Sequence, residues 1–147
     1  MENKREYRYT LHTDGGSRGN PGISAYGAVL ISEAGNLEWI AGKYLGIMTN
    51  NEAEYEGIYR GLLAAKRKNV KNIKVVIDSE IAYKQLTGKW KIKNERIYRQ
   101  IKKIKSVESS FLSVIYVYRP RERNFLADRI VNIILDTVEQ LSSPSRK

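Results

Sequence analysis

Tyr9-Thr10-Leu11-His12-Thr13-Asp14-Gly15-Gly16-Ser17-Arg18-Gly19-Asn20-Pro21-Gly22 is the stretch on which the reading of the fold turns. Its first half is a β-branched and aromatic run with strand propensity, ending in an acid. Its second half reads as a glycine-rich turn, explained by glycine's access to positive φ. An aspartate at the carboxyl end of a strand, beside flexible backbone, sits where open α/β sheets bind ligands. Asp-Gly is also an ordinary turn, so Asp14 gains meaning only from three further acids, Glu54, Asp78 and Asp128.

Working outward, Tyr7 to Thr13 predicts a first strand, Ala25 to Ile31 a second, and Leu37 to Tyr44 a third. The short connections make these three an antiparallel meander. Thr49-Asn50-Asn51-Glu52 has the form of a capping box, and the apolar spacing after it predicts a helix to about Lys68. Glu54 is expected in its first turn, where the helix dipole favours a carboxylate. Asn72 to Ile77 predicts a strand reaching Asp78, and the helical crossover before it implies that it runs parallel to the first.

Glu80 to Leu86 reads as a short helix stopped by Thr87-Gly88. Lys89-Trp90-Lys91-Ile92-Lys93 alternates basic and apolar residues, as in an edge strand or an extended loop. Glu95 to Val107 predicts an amphipathic helix with Ile97, Ile101 and Ile104 inward. Phe111 to Tyr118 reads as a last strand, apolar on both faces. Arg119 to Arg123 reads as a loop around Pro120. A final helix is expected over Asn124 to Leu141, placing Asn124 one turn before Asp128 on the same face. Residues 1–141 thus read as one α/β domain and 142–147 as a frayed tail.

The chain has 147 residues, with 26 Lys plus Arg against 16 Asp plus Glu, a formal charge of +10. That balance favours a polyanionic partner, nucleic acid ahead of an anionic membrane. No cysteine is present, which excludes a disulfide scaffold and thiol chemistry. The charged start lacks the apolar run of a signal peptide, and no stretch is long and apolar enough for a membrane span. The expectation is an intracellular, cytoplasmic protein, and a monomer.

Four carboxylates with no thiol and a single histidine make an oxygen-only ligand set. Such a set suits a hard cation, Mg²⁺ or Mn²⁺, rather than zinc. Without a cation, mutual repulsion would raise some of the pKa values and oppose a compact cluster. Two bound ions can activate water and stabilise the leaving oxygen of a phosphodiester.

Asp14-Gly15-Gly16-Ser17-Arg18-Gly19-Asn20-Pro21-Gly22, Thr49-Asn50-Asn51-Glu52-Ala53-Glu54-Tyr55, Asp78-Ser79 and Asn124-Phe125-Leu126-Ala127-Asp128 together resemble the type 1 ribonuclease H family. The resemblance runs from about Tyr9 to about Leu135 with the motifs in order. It implies a five-stranded mixed sheet flanked by helices, and Mg²⁺-dependent hydrolysis of the RNA strand of RNA–DNA hybrids. By motif, Asp14 would bridge two metal ions, and Glu54 and Asp78 would serve the one on the leaving-group side. Asp128 would hold the ion carrying the nucleophilic water. The products implied are 5′-phosphate and 3′-hydroxyl ends. Glu52 matches the capping partner, and Glu54 the catalytic position.

Substrate contacts are also implied. Asn20, Asn50 and Asn51, with the backbone amides of Gly15, Gly16 and Ser17, would read 2′-hydroxyls in the wide groove of an A-form-like duplex. Thr49 would help hold a DNA-strand phosphate, and Asn124 stands among the expected substrate-binding residues. The chain departs from many members in three places. Gly88 to Asn94 is too short for their basic helical extension, so Lys89, Lys91, Lys93 and Arg96 are expected to replace part of its phosphate contact. Trp90 is either a platform against the DNA strand or a packing residue. The loop before Asn124 lacks the family's histidine, and His12 reads as a packing residue. Glu80 stands where glutamine is common, and it can accept but not donate a hydrogen bond to a 2′-hydroxyl. Double-stranded RNA is an alternative substrate, and a catalytically silent hybrid-binding module is the rival reading.

Overall fold

A computed structural model describes residues 8–119 and 124–142 of the chain. Five strands are present: β1 Tyr9–Arg18, β2 Gly22–Ser32, β3 Leu37–Met48, β4 Asn72–Ile77 and β5 Ser113–Tyr118. The helices are α1 Asn50–Arg67, α2 Glu80–Leu86, α3 Glu95–Glu108 and α4 Phe125–Ser142. The sheet order is β3-β2-β1-β4-β5. β1, β2 and β3 pair antiparallel, whereas β4 pairs parallel with both β1 and β5. The expected meander, the parallel fourth strand and its adjacency to the first are all present.

One expectation about the opening stretch is corrected. β1 does not end at Asp14; it continues through Arg18, with Asp14 opposite Gly27 and Gly16 opposite Ala25 on β2. The turn lies beyond it at Gly19-Asn20-Pro21, with a cis Asn20–Pro21 bond, and of this run only Gly19 has positive φ. Gly15 and Gly16 are needed for space. A Cβ on Gly15 would lie 2.3 Å from the Ala53 carbonyl carbon in α1, and one on Gly16 would lie 3.3 Å from Val131 Cγ1 in α4. Adjacent strand residues face opposite sides of a sheet, so these two contacts place α1 and α4 on opposite faces.

α1 begins as its sequence dictates. The Thr49 hydroxyl accepts from Glu52 N–H at 3.2 Å, and Glu52 Oε1 accepts from Thr49 N–H at 3.0 Å. Glu54 is the fifth residue of the helix, just past the first turn in which it was expected. The principal core lies between the sheet and α1, α2 and α3, and contains Leu11, Tyr55, Ile58, Leu62, Ile73, Ile77 and Ile104. A smaller cluster of Ala25, Val131 and Leu135 lies under α4. There Gly27 lets the helix approach closely, since a Cβ would fall 2.5 Å from the Ala127 carbonyl oxygen.

One boundary expectation changes. β5 starts at Ser113, and only Tyr116 within it is buried, so this edge strand is not apolar-packed on both faces. Residues 89–93 form a loop, one of the two forms expected of them. The expected loop at Pro120 to Arg123, the start of the first strand at Tyr7 and the tail beyond Ser142 lie outside the described residues.

Candidate active site

The ladder between β1 and β4 stops at His12 opposite Val76, while β1 runs on for six residues. Past that point the β4 side of β1 has no strand, and the acids gather there. Asp14 comes from β1, Asp78 from the residue after β4, and Glu54 from α1. Each offers a carboxylate oxygen, and these oxygens all lie within 4.8 Å of one another. In place of a strand partner, Glu54 Oε1 accepts the Gly15 N–H at 3.1 Å. Asp128, in the first turn of α4, lies beside Asp14 and lines the same cavity of about 620 Å³.

Burial sharpens the electrostatics. Asp14 is 8% exposed and Glu54 3%. Burial first, then the charges of Asp78 and Asp128, push the Asp14 carboxyl up to about 8. Glu54 is likewise raised, by burial and then by Asp14 and Asp78. Its second oxygen, Oε2, is buried without a hydrogen-bond partner. An orphaned buried carboxylate oxygen beside two more carboxylates costs free energy unless a cation or proton occupies the site. The donor set is all oxygen, which fits Mg²⁺ or Mn²⁺. Glu52, by contrast, is lowered: burial pushes it up, but the Thr49 N–H and the Arg96 guanidinium at 2.9 Å outweigh this. The two nearby glutamates therefore have opposite environments, one capping a helix and one in the acid cluster.

The expected substrate-binding residues divide by position. Gly15, Gly16, Ser17, Asn50 and Asn51 line the acid cavity. Asn20, Thr49, Asn50 and Asn51 line a second cavity of about 460 Å³, together with Gln85, Asn94 and Arg96. Ser17 N–H donates to Asn50 Oδ1 at 2.8 Å, and Asn50 N–H donates to Asn20 Oδ1 at 2.9 Å, which ties the turn after β1 to the start of α1. Each amide spends its oxygen on backbone and keeps its NH₂ as a donor.

Glu80, Lys89, Trp90, Lys91 and Lys93 line neither cavity. Glu80 pairs with Lys84 at 3.1 Å, and the Lys84 ammonium stands 4.8 Å over the Trp90 ring. Lys89, Lys91 and Lys93 are exposed on the loop before α3.

Asn124, expected among the substrate-binding residues, is 1% exposed. Its Nδ2 donates to the Thr13 carbonyl, and its Oδ1 is 3.2 Å from His12 Nδ1. It joins β1 to the start of α4, and so helps set Asp128 against Asp14. His12 is half-buried against it and held below its ordinary pKa, by burial first.

Arg18, Tyr118 and Asn132 are among the cavity residues that the sequence reading did not single out. Asn132 could have been found from its spacing of four from Asp128 on a helix. Arg18 and Tyr118 carry no such signal, because their roles depend on where β1 and β5 end.

Comparison with known proteins agrees with this geometry. A family model described as reverse transcriptase-like matches residues 12–133. Ribonuclease HI of Halobacterium salinarum is 35% identical over 129 residues, covering 88% of this chain and 65% of its own length. The crystal structure of the RNase H1 from that archaeon superposes with a TM-score of 0.85 and covers 98% of the solved chain. The bifunctional protein Rv2228c of Mycobacterium tuberculosis is 34% identical over 134 residues, 90% of this chain. The chain spans only 37% of that relative's length. The N-terminal RNase H domain of Rv2228c superposes with a TM-score of 0.89 at 32% identity, over 94% of this chain and all of that one. LC11-RNase H1, solved in complex with an RNA/DNA hybrid, gives 0.83 at 32% identity, over 88% of this chain and 98% of that one. With the strand order, the clustered acids and these matches in agreement, the chain belongs to the type 1 ribonuclease H family, in the compact form that passes from α2 to α3 without a basic helical extension.

Proposed function

We propose that the protein is an endoribonuclease that hydrolyses the RNA strand of RNA–DNA hybrids with divalent metal, leaving 5′-phosphate and 3′-hydroxyl ends. The observation that carries this reading is the group of Asp14, Glu54 and Asp78, within 4.8 Å of one another and holding an orphaned buried oxygen of Glu54. Asp14, Glu54, Asp78 and Asp128 would hold two Mg²⁺ ions, with Mn²⁺ as a substitute. When bound, such ions neutralise the acids, activate a water and stabilise the leaving oxygen.

The chain's own groups supply the rest. The Gly15 N–H fixes one oxygen of Glu54 and leaves the other, Oε2, buried without a hydrogen-bond partner. Asn20, Asn50 and Asn51 present amide donors at the two cavities, suited to 2′-hydroxyls of a wide groove. Thr49 and Arg96 line the second cavity, which suits a phosphate of the other strand. Lys89, Lys91 and Lys93 lie on the exposed loop leading to α3 and would add diffuse phosphate attraction, consistent with the +10 charge. His12 is spent on Asn124, so we assign it no proton transfer.

Asp14→Asn is the direct test. An enzyme of this kind loses Mg²⁺-dependent cleavage while hybrid binding persists. Wild-type protein that binds hybrid and never cuts it would support a silent binding module instead.

A further inference from the structure

Asn132 lies one helical turn after Asp128 on α4. Its Nδ2 is 3.1 Å from the Asp128 carbonyl oxygen and 3.2 Å from Asp128 Oδ2. Its Oδ1 accepts from Arg18 Nη2 at 3.1 Å. We propose that Asn132 is a positioning residue for the Asp128 carboxylate, and that Arg18 fixes the direction its amide faces. The inference rests on the reading of the four acids as a metal site.

An amide side chain can present either its oxygen or its nitrogen. A guanidinium has donors only, so Arg18 selects the oxygen and turns the NH₂ toward Asp128. Arg18 is itself held from two sides, with Nη1 2.8 Å from Asp136 Oδ1 and 2.7 Å from Glu139 Oε1. Its charge is therefore engaged by α4 within the cavity wall. The sequence positions give the relay its meaning: Arg18 is four residues past Asp14 on β1, and Asn132 is four past Asp128 on α4. The link joins the strand bearing one acid to the helix bearing the other, on the opposite side of Asp128 from the Asn124–Thr13 tie.

Asp128 needs such a tie more than the others do. Asp14 and Glu54 are buried and held by packing, whereas Asp128 is only half-buried. Its carboxylate therefore has more freedom to turn toward solvent, and the Asn132 amide holds it at the cavity.

The test is Mn²⁺ titration by calorimetry on the full chain, comparing wild type, Asn132→Ala and Arg18→Met, each also made in an Asp128→Asn background. Asn132→Ala should weaken Mn²⁺ binding about tenfold, as loss of a partner to a metal ligand does. Arg18→Met should act in the same direction by a smaller factor. Neither should cost anything further once Asp128 is Asn, a dependence that a merely structural role does not produce. Unchanged Mn²⁺ affinity in Asn132→Ala, or the same loss with Asp128→Asn present, would overturn the proposal. Cleavage of hybrid is scored separately. Wild-type protein that binds Mn²⁺ as described but cuts nothing removes the nuclease reading and leaves this inference standing.

Discussion

The Gly15 N–H donates to Glu54 Oε1 across 3.1 Å, at a point where a Cβ on residue 15 would lie 2.3 Å from the Ala53 carbonyl carbon. The hydrogen bond and the close approach are one feature: β1 can hold the α1 carboxylate only because residue 15 has no side chain. Gly15→Ala must push α1 off the sheet. Overpacking of this kind costs about 1–3 kcal/mol, to be read by thermal or urea denaturation. Because Glu54 moves with the helix, metal affinity should fall with stability. A variant of wild-type stability and metal affinity would contradict the packing described.

Glu52 and Glu54 separate the helix cap from the metal site. Glu52→Gln weakens the pairing with Arg96 and the cap on Thr49, and should cost about 1 kcal/mol while leaving cleavage in place. Glu54→Gln removes a charge from a crowded cluster, and should abolish metal-dependent cleavage. In EDTA its melting temperature should equal or exceed that of wild type. The opposite assignment of effects would exchange their roles.

Asn124 ties the Thr13 carbonyl and His12 to the start of α4. Asn124→Ala leaves the Thr13 carbonyl and His12 without their partner in a buried site. That should cost about 1–3 kcal/mol. Asn124→Asp keeps the shape but sets a carboxylate oxygen against the Thr13 carbonyl, and should cost more than alanine. Denaturation curves of the two variants check the order.

Stability should depend on pH and metal together. Asp14 rises from an ordinary 3.8 to about 8 in the fold, so the native state binds a proton more tightly than the unfolded chain. Its contribution is fully present below the ordinary carboxylate range and is lost as pH rises through about 8. Metal-free protein should therefore lose stability from mildly acidic to mildly basic pH, with Glu54 acting in the same direction. Mg²⁺ relieves the same repulsion, so the gain in melting temperature on adding it should be larger near pH 8 than near pH 5. An equal gain at both values would mean that the acids do not hold the ion.

Much of this was legible in the sequence, for local reasons. The capping box named its own helix, and β4 and α2 carry their limits in their turn residues. The four acids stood in recognisable settings. What escaped depended on distant neighbours. Gly15-Gly16 reads as a turn, yet both glycines lie in a continuing strand, because the need for space comes from Ala53 and Val131, far along the chain. Asn124 reads as one of the substrate-binding residues, and nothing local in the sequence signals that the Thr13 carbonyl and His12 enclose it. Arg18 shows its partners only when α4 is laid across β1.

The central claim is best tested by incubating the protein with four matched duplexes, RNA–DNA, RNA–RNA, DNA–DNA and DNA carrying one ribonucleotide, each strand labelled in turn, in Mg²⁺, Mn²⁺ or EDTA. The expected result is cutting of the RNA strand of the hybrid, with 5′-phosphate ends, in either metal but not in EDTA, and none by Asp14→Asn. Cutting that survives EDTA or Asp14→Asn, or a wild-type protein that binds hybrid and cuts no duplex, would contradict it.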